Sequence, residues 1–130
     1  MSTLLSFSFD DAQLLPALTS ASDGDLDLLE FGVIGFDADG VVRVYNAYES
    51  ECAGLSPDRV KNHPLFTVVA PCMNNYLVAQ RFEDAAASAQ PLDATIDYVL
   101  TLRMRPVKVK LRLLAGAGSE LRYVLVLRRS

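Results

Sequence analysis

The chain of 130 residues has no tryptophan, one histidine and two cysteines. Each scarcity excludes something. A lone His63 rules out a histidine-based metal site, and it leaves a cysteine nucleophile without an imidazole that can be paired with it. Sitting before Pro64 in a turn-rich stretch, His63 reads as a loop residue. Two cysteines, Cys52 and Cys72, are too few for a secreted disulfide scaffold and are read as free thiols. No apolar run approaches the ~20 residues of a spanning helix. The opening MSTLLSFSFDD lacks a basic segment and meets acid at Asp10 and Asp11, so it is not read as a secretory signal. Glycine-rich phosphate loops, nucleophile elbows and clustered metal ligands are missing as well. What is present is 51% hydrophobic residues, enough for one domain with a real core. The expectation is a soluble cytoplasmic domain with no membrane target and no enzymatic turnover.

Charge is unevenly spread. Residues 1–60 carry eleven acids against Arg43 and Arg59, and residues 61–130 carry ten bases against five acids. The net charge is therefore −9 in one half and +5 in the other, summing to −4. The bases form no run. Arg103, Arg105, Lys108, Lys110 and Arg112 alternate with apolar residues, as on the wet face of a sheet. A docking surface is the alternative reading. Nucleic acid is not an expected partner; the split is read instead as an acidic N-terminal cap complementing the basic outer face of the late strands.

Hydrophobic spacing then divides the chain. Residues 1–30 are an acidic lead-in with two short helical pieces, DDAQLLPAL and DGDLDLLEF. FGVIGFD and GVVRVYN flank Asp37-Ala38-Asp39-Gly40, a hairpin signature. Alternation stops after residue 46, where Gly54, Ser56, Pro57 and Pro64 cut the chain into short helices, with Ser56 and Pro57 placed to start one. Residues 76–89 have helix-forming composition. Strands follow at 94–104, 107–114 and 121–128, the last two joined through Gly116-Ala117-Gly118. The expected fold is α+β: a five-stranded antiparallel sheet with short helices packed on one face and an N-terminal helical cap.

Two segments carry candidate chemistry. Tyr45 and Glu49 are four residues apart, a spacing that shares a face if the stretch is helical. A carboxyl buried there would stay neutral and donate a hydrogen bond, whereas an exposed Glu49 would be ordinary surface. Cys72 follows the apolar run Val68-Val69-Ala70 and Pro71. It is either a small buried hydrophobe or a thiol activated by the N-terminus of the helix predicted near Asn75.

In order and spacing these segments resemble the photoactive yellow proteins, blue-light receptors of the PAS fold. The matching pieces are LDLLEFGVI at 26–34, the Asp-Gly hairpin, Tyr45-Asn46-Ala47 with Glu49, Val69-Ala70-Pro71-Cys72, Arg81-Phe82-Glu83, Met104, Pro106-Val107-Lys108-Val109-Lys110 and a Tyr-Val-Leu-Val ending. The likeness covers nearly the whole chain. It implies residues 1–30 as a cap on a PAS core at 31–130. It also implies p-coumaric acid attached to Cys72 by a thioester, with Tyr45 and a protonated Glu49 donating hydrogen bonds to its phenolate. Phe66 and Met104 would line the same pocket. Trans-to-cis isomerisation followed by proton loss from Glu49 would drive signalling to a downstream protein, by a monomer or weak homodimer.

This sequence departs from the family at two positions. Ala53 stands where the family usually has a threonine supporting the tyrosine, and Leu55 where it has an arginine shielding the chromophore. With one residue inserted near Gln90–Asp93, a pocket tyrosine of the family falls on Leu102, and Cys52 matches no family role. These departures keep a second expectation open: a chromophore-free PAS module that binds a partner or a second copy.

Overall fold

The Asp-Gly turn predicted between the first two strands is built by its own side chain. In the computed structural model, which describes residues 8–100, 106–116 and 120–128, Asp37 Oδ1 accepts from the backbone N–H of Asp39 and Val41 at 2.9 and 3.0 Å. Gly40 takes φ +82°, where a side chain would be strained. The turn joins β1 (Gly32–Phe36) to β2 (Val42–Tyr45). With β3 (Leu92–Leu100), β4 (Val107–Ala115) and β5 (Arg122–Arg128) they form one sheet in the order β2-β1-β5-β4-β3. Every neighbouring pair is antiparallel. This is the predicted five-stranded antiparallel sheet. The strand read at 94–104 is observed from Leu92 to Leu100; Leu102 and Met104 lie outside the described residues.

The helices are α1 (Leu14–Ser20), α2 (Asp23–Leu26), α3 (Ala47–Ala53), α4 (Pro57–Val60) and α5 (Ala79–Ala87). Pro57 opens α4 as read, although the Ser56 side chain makes no capping hydrogen bond. Two further turns separate α4 from α5: a π-helical turn at Leu65–Val69 and a 3-10 turn at Pro71–Met73.

Helices cover both faces of the sheet, not one. On one face Ile34, Phe36, Leu111, Leu113, Val124 and Val126 pack with Val60, Leu65, Met73 and Phe82 from the middle of the chain. On the other, Val33, Leu114, Tyr123 and Leu125 pack with Phe9, Leu14, Leu18, Leu26 and Phe31 of the N-terminal segment. The reason is visible in β1 and in Leu111–Ala115 of β4, where consecutive residues are all buried. Strands buried on both sides need two covering layers. The cap is therefore the second layer.

That layer corrects the reading of Arg112. Period two placed it on a wet face with Lys108 and Lys110, yet it is only 4% exposed. Its Nε and Nη2 donate to Asp93 at 2.9 and 3.0 Å, and its Nη1 donates to the backbone carbonyls of Phe9 and Asp11, both at 2.8 Å. The wet stripe ends where the cap begins.

Candidate functional site

Tyr45 ends β2 and Glu49 lies in the first turn of α3, so the two do not share a helical face as their spacing suggested. Asn46 separates them in extended conformation as the N-cap of α3, its Oδ1 accepting from the Glu49 N–H. A strand-to-helix corner brings the side chains together instead. Both are buried, Tyr45 at 4% and Glu49 at 1% exposure. Burial first, and the Glu49 charge second, push the Tyr45 phenol well above its ordinary value of 10.0, while Arg128 pulls the other way. The buried alternative for Glu49 is thus the observed one.

Gly32 makes room for the carboxyl. It sits on β1 directly under Glu49, and a Cβ there would collide with Glu49 Oε1. Arg128, at the end of β5, closes the other side. Its Nη1 and Nη2 donate to Glu49 Oε1 and Oε2 at 2.6 and 2.9 Å. This is a two-pronged, charge-assisted pair between side chains 79 residues apart in sequence. Burial works against the Arg128 charge, but the hydrogen bond and charge of Glu49 outweigh it and raise the guanidinium further. Leu55 itself packs against the apolar core, and its carbonyl accepts from Ser50 Oγ at 2.7 Å. Ala53 is buried.

Cys72 is half-buried in the 3-10 turn, against the same apolar cluster as Tyr45, Leu55 and Phe66. It does not open a helix: α5 starts at Ala79, after an Asn75 side chain that accepts from the N–H of Leu77 and Val78. A different grip holds it. Tyr98 on β3 donates its hydroxyl to the Cys72 carbonyl. Asn75 Nδ2 donates to that carbonyl at 3.2 Å and to the Tyr98 oxygen at 2.6 Å. Both residues also line an open cleft of about 1160 Å³ along β3 and β4. Phe66 packs edge-on to Phe36, with centroids 5.3 Å apart. Cys52 is exposed, and so is His63. Among the described residues no group of His, Cys, Asp or Glu is arranged to hold a metal ion.

Sequence reasoning missed Arg128, Gly32, Tyr98 and Asn75. Arg128, Gly32 and Tyr98 carry no local signal, since each acts through a partner on another element, whereas Asn75 also bonds within three residues of itself.

The chemistry of this set suits a free phenol whose side chain ends in an acyl group that a thiol can carry. A thiol that can be acylated lies on the apolar cluster that also contains Tyr45, and beside Tyr45 stands a buried carboxyl. Sheet order, the helical middle and these residues define a sensory domain of the PAS class, and the sequence profile of the PAS fold matches residues 26–129. Photoactive yellow protein of Rhodothalassium salexigens is 31% identical over 96% of this chain and 98% of its own. That of Halochromatium salexigens is 33% identical over the same shares. The photoactive yellow protein domain of the sensor histidine kinase Ppr from Rhodospirillum centenum superposes with a TM-score of 0.80 at 33% identity, covering 87% of this chain and 98% of that one. The chain belongs to the photoactive yellow protein family.

Proposed function

We propose that the chain is a blue-light photoreceptor carrying p-coumaric acid as a thioester on Cys72. The observation that supports this most is the buried Tyr45–Glu49 corner, on the same apolar cluster as a half-buried thiol. Attachment is an acyl transfer from an activated p-coumaroyl thioester. The Cys72 Sγ–C bond forms as the bond to the activating thiol breaks, and that thiol leaves with the Cys72 proton. When bound, the group supplies visible absorption and a double bond that light turns from trans to cis.

The chain's own residues do the rest. Tyr45 donates a hydrogen bond from its hydroxyl to the buried phenolate, replacing lost water. Glu49 holds a proton at its carboxyl in the dark and passes it to the phenolate oxygen after illumination. Phe66 and Leu55 keep the pocket apolar, and Met104 belongs to the same pocket by family likeness. Tyr98 and Asn75 fix the backbone at the attachment point by holding the Cys72 carbonyl. Ionisation of Glu49 disturbs α3, and Asn46 at the start of α3 transmits the change. Asn46 Nδ2 donates to the carbonyls of Leu26 and Phe31, both at 3.0 Å, and Oδ1 accepts from the Val33 N–H at 2.9 Å. Through them the disturbance reaches residues 1–30, the cap whose release is the signal to a partner protein.

The deciding experiment is reconstitution with activated p-coumarate. Wild type should gain a visible band, Cys72→Ala should not, and Glu49→Gln should keep a shifted band. A colourless wild type, or a coloured Cys72→Ala, overturns the reading. One observation favours a pigment-free PAS module: Arg128 already satisfies both Glu49 oxygens. Intact protein from its host heavier by one coumaroyl group would exclude that module.

A further inference from the structure

A carboxyl that must hold a proton in the dark is here paired with a guanidinium. That tension locates a residue outside the set the family likeness implies. We propose that Arg128 is a positioning residue, the seat to which the Glu49 carboxylate is held whenever it is ionised, both in the pigment-free chain and after light-driven proton release. The role in the light cycle rests on the photoreceptor reading above; the role in the pigment-free chain rests on the ion pair alone.

Three observations carry the proposal. First, both guanidinium Nη atoms meet both carboxylate oxygens, at 2.6 and 2.9 Å, and this fork fits an ionised acid; a protonated carboxyl would turn one oxygen into a competing donor. Second, the Glu49 side chain is 1% exposed and that of Arg128 13%, so water cannot take over when the partner is lost. Third, Gly32 leaves the carboxyl a place against the sheet, directed to β5. The other titratable groups around the pair are Tyr45 from β2 and Tyr48 and Cys52 from α3 itself. None of them is a cation, so Arg128 supplies the positive charge that faces Glu49 among these groups.

The charge count explains why such a seat is useful. With pigment in the dark, a phenolate and Arg128 balance while Glu49 is neutral. After the proton has moved, the phenol is neutral and Glu49 and Arg128 balance. The pocket keeps the same net charge in both states, with Glu49 the anion that Arg128 would hold after the proton has moved. A carboxylate without that seat would be an uncompensated buried charge, which returns its proton quickly.

The test uses the full chain with and without pigment, labelled in its glutamate carboxyls and read by infrared, with Glu49→Gln assigning the Glu49 band. In pigment-free wild type near pH 7 the protonated Glu49 band should be absent. In Arg128→Gln it should appear, at a protonated fraction at least about tenfold higher, and Arg128→Lys, which keeps the charge and loses the fork, should fall between. In reconstituted Arg128→Gln the light state should decay about tenfold faster than wild type, equivalent to about 1.4 kcal/mol. A protonated band in pigment-free wild type overturns the proposal. So does an Arg128→Gln protein that matches wild type in band or in decay to within about twofold. If Arg128→Gln does not fold, the Arg128→Lys comparison decides in the same two measurements. If wild type gains no visible band, the photoreceptor reading fails while the infrared result on the pigment-free chain still judges the ion pair.

Discussion

Two arginines, on neighbouring strands and opposite faces of one sheet, make nearly the same contact with very different consequences. Arg112 on β4 grips Asp93 with two N–H groups, as Arg128 on β5 grips Glu49. Asp93, however, has a side chain 56% exposed, and Glu49 only 1%. Arg112 spends its remaining donor on backbone carbonyls of Phe9 and Asp11, which never change charge. The cap-side arginine is therefore a fixed fastening whose strength lies in the carbonyls, since water screens its acid. The site-side arginine answers to one dry carboxyl. Burial of the acid, more than the distance between the partners, separates the two pairs.

The comparison breaks most visibly at Arg128. Replacing it with Met leaves a buried carboxylate alone and should remove about 3–5 kcal/mol of stability at neutral pH, read from the urea midpoint. Adding Glu49→Gln to that variant should restore most of the loss, because the stranded charge is gone. Arg112→Met should cost less, about 2–3 kcal/mol, and adding Asp93→Asn should restore little, because the lost partners are carbonyls. Limited proteolysis should then cut the N-terminal segment of Arg112→Met first and leave Arg128→Met cut more evenly.

A smaller effect sharpens the comparison through pH. The Tyr45 phenol is raised above 10.0 in the folded chain, chiefly by burial and then by Glu49. A raised folded value contributes stability that is complete below about 10 and is lost as pH climbs further. Tyr45→Phe should flatten the fall in unfolding free energy between about pH 9 and 11. Burial also raises Tyr48 and Tyr123, so the slope should diminish without vanishing. The smallest effect concerns the cap's own acids. Lys61 meets Asp23 at 3.5 Å with the Asp23 side chain 73% exposed. Lys61→Ala should change stability by less than about 1 kcal/mol, and added salt should erase the difference.

How much of this was legible in the chain depends on how local the cause is. The hairpin at Asp37–Gly40 and the start of α3 at Asn46 follow from residues that bond within a few positions of themselves, and strand alternation fixes which residues can face one another. Arg112 was misread for the opposite reason. Its alternation with Lys108 and Lys110 is real, but a covering layer that begins 101 to 103 residues earlier decides whether the face is wet. The expected cap-to-sheet attraction exists at this point as a bond to backbone carbonyls, without a cap carboxylate. Tyr45, Glu49 and Cys72 were found because family order flagged them. Arg128 was not, because a terminal arginine gives no sign of which acid, 79 residues away, will meet it.

Gly32 contributes to the site by having nothing there. Its missing side chain is the volume that Glu49 Oε1 fills. The acid can therefore be moved from across the sheet, by adding a methyl group instead of removing a functional one. Gly32→Ala would keep every tyrosine, acid, thiol and guanidinium in the chain and still part Glu49 from Arg128. Such a variant would lose the ion pair while its chemically active residues all remained in place. The partner that Glu49 meets is thus set at a position that carries no chemistry of its own.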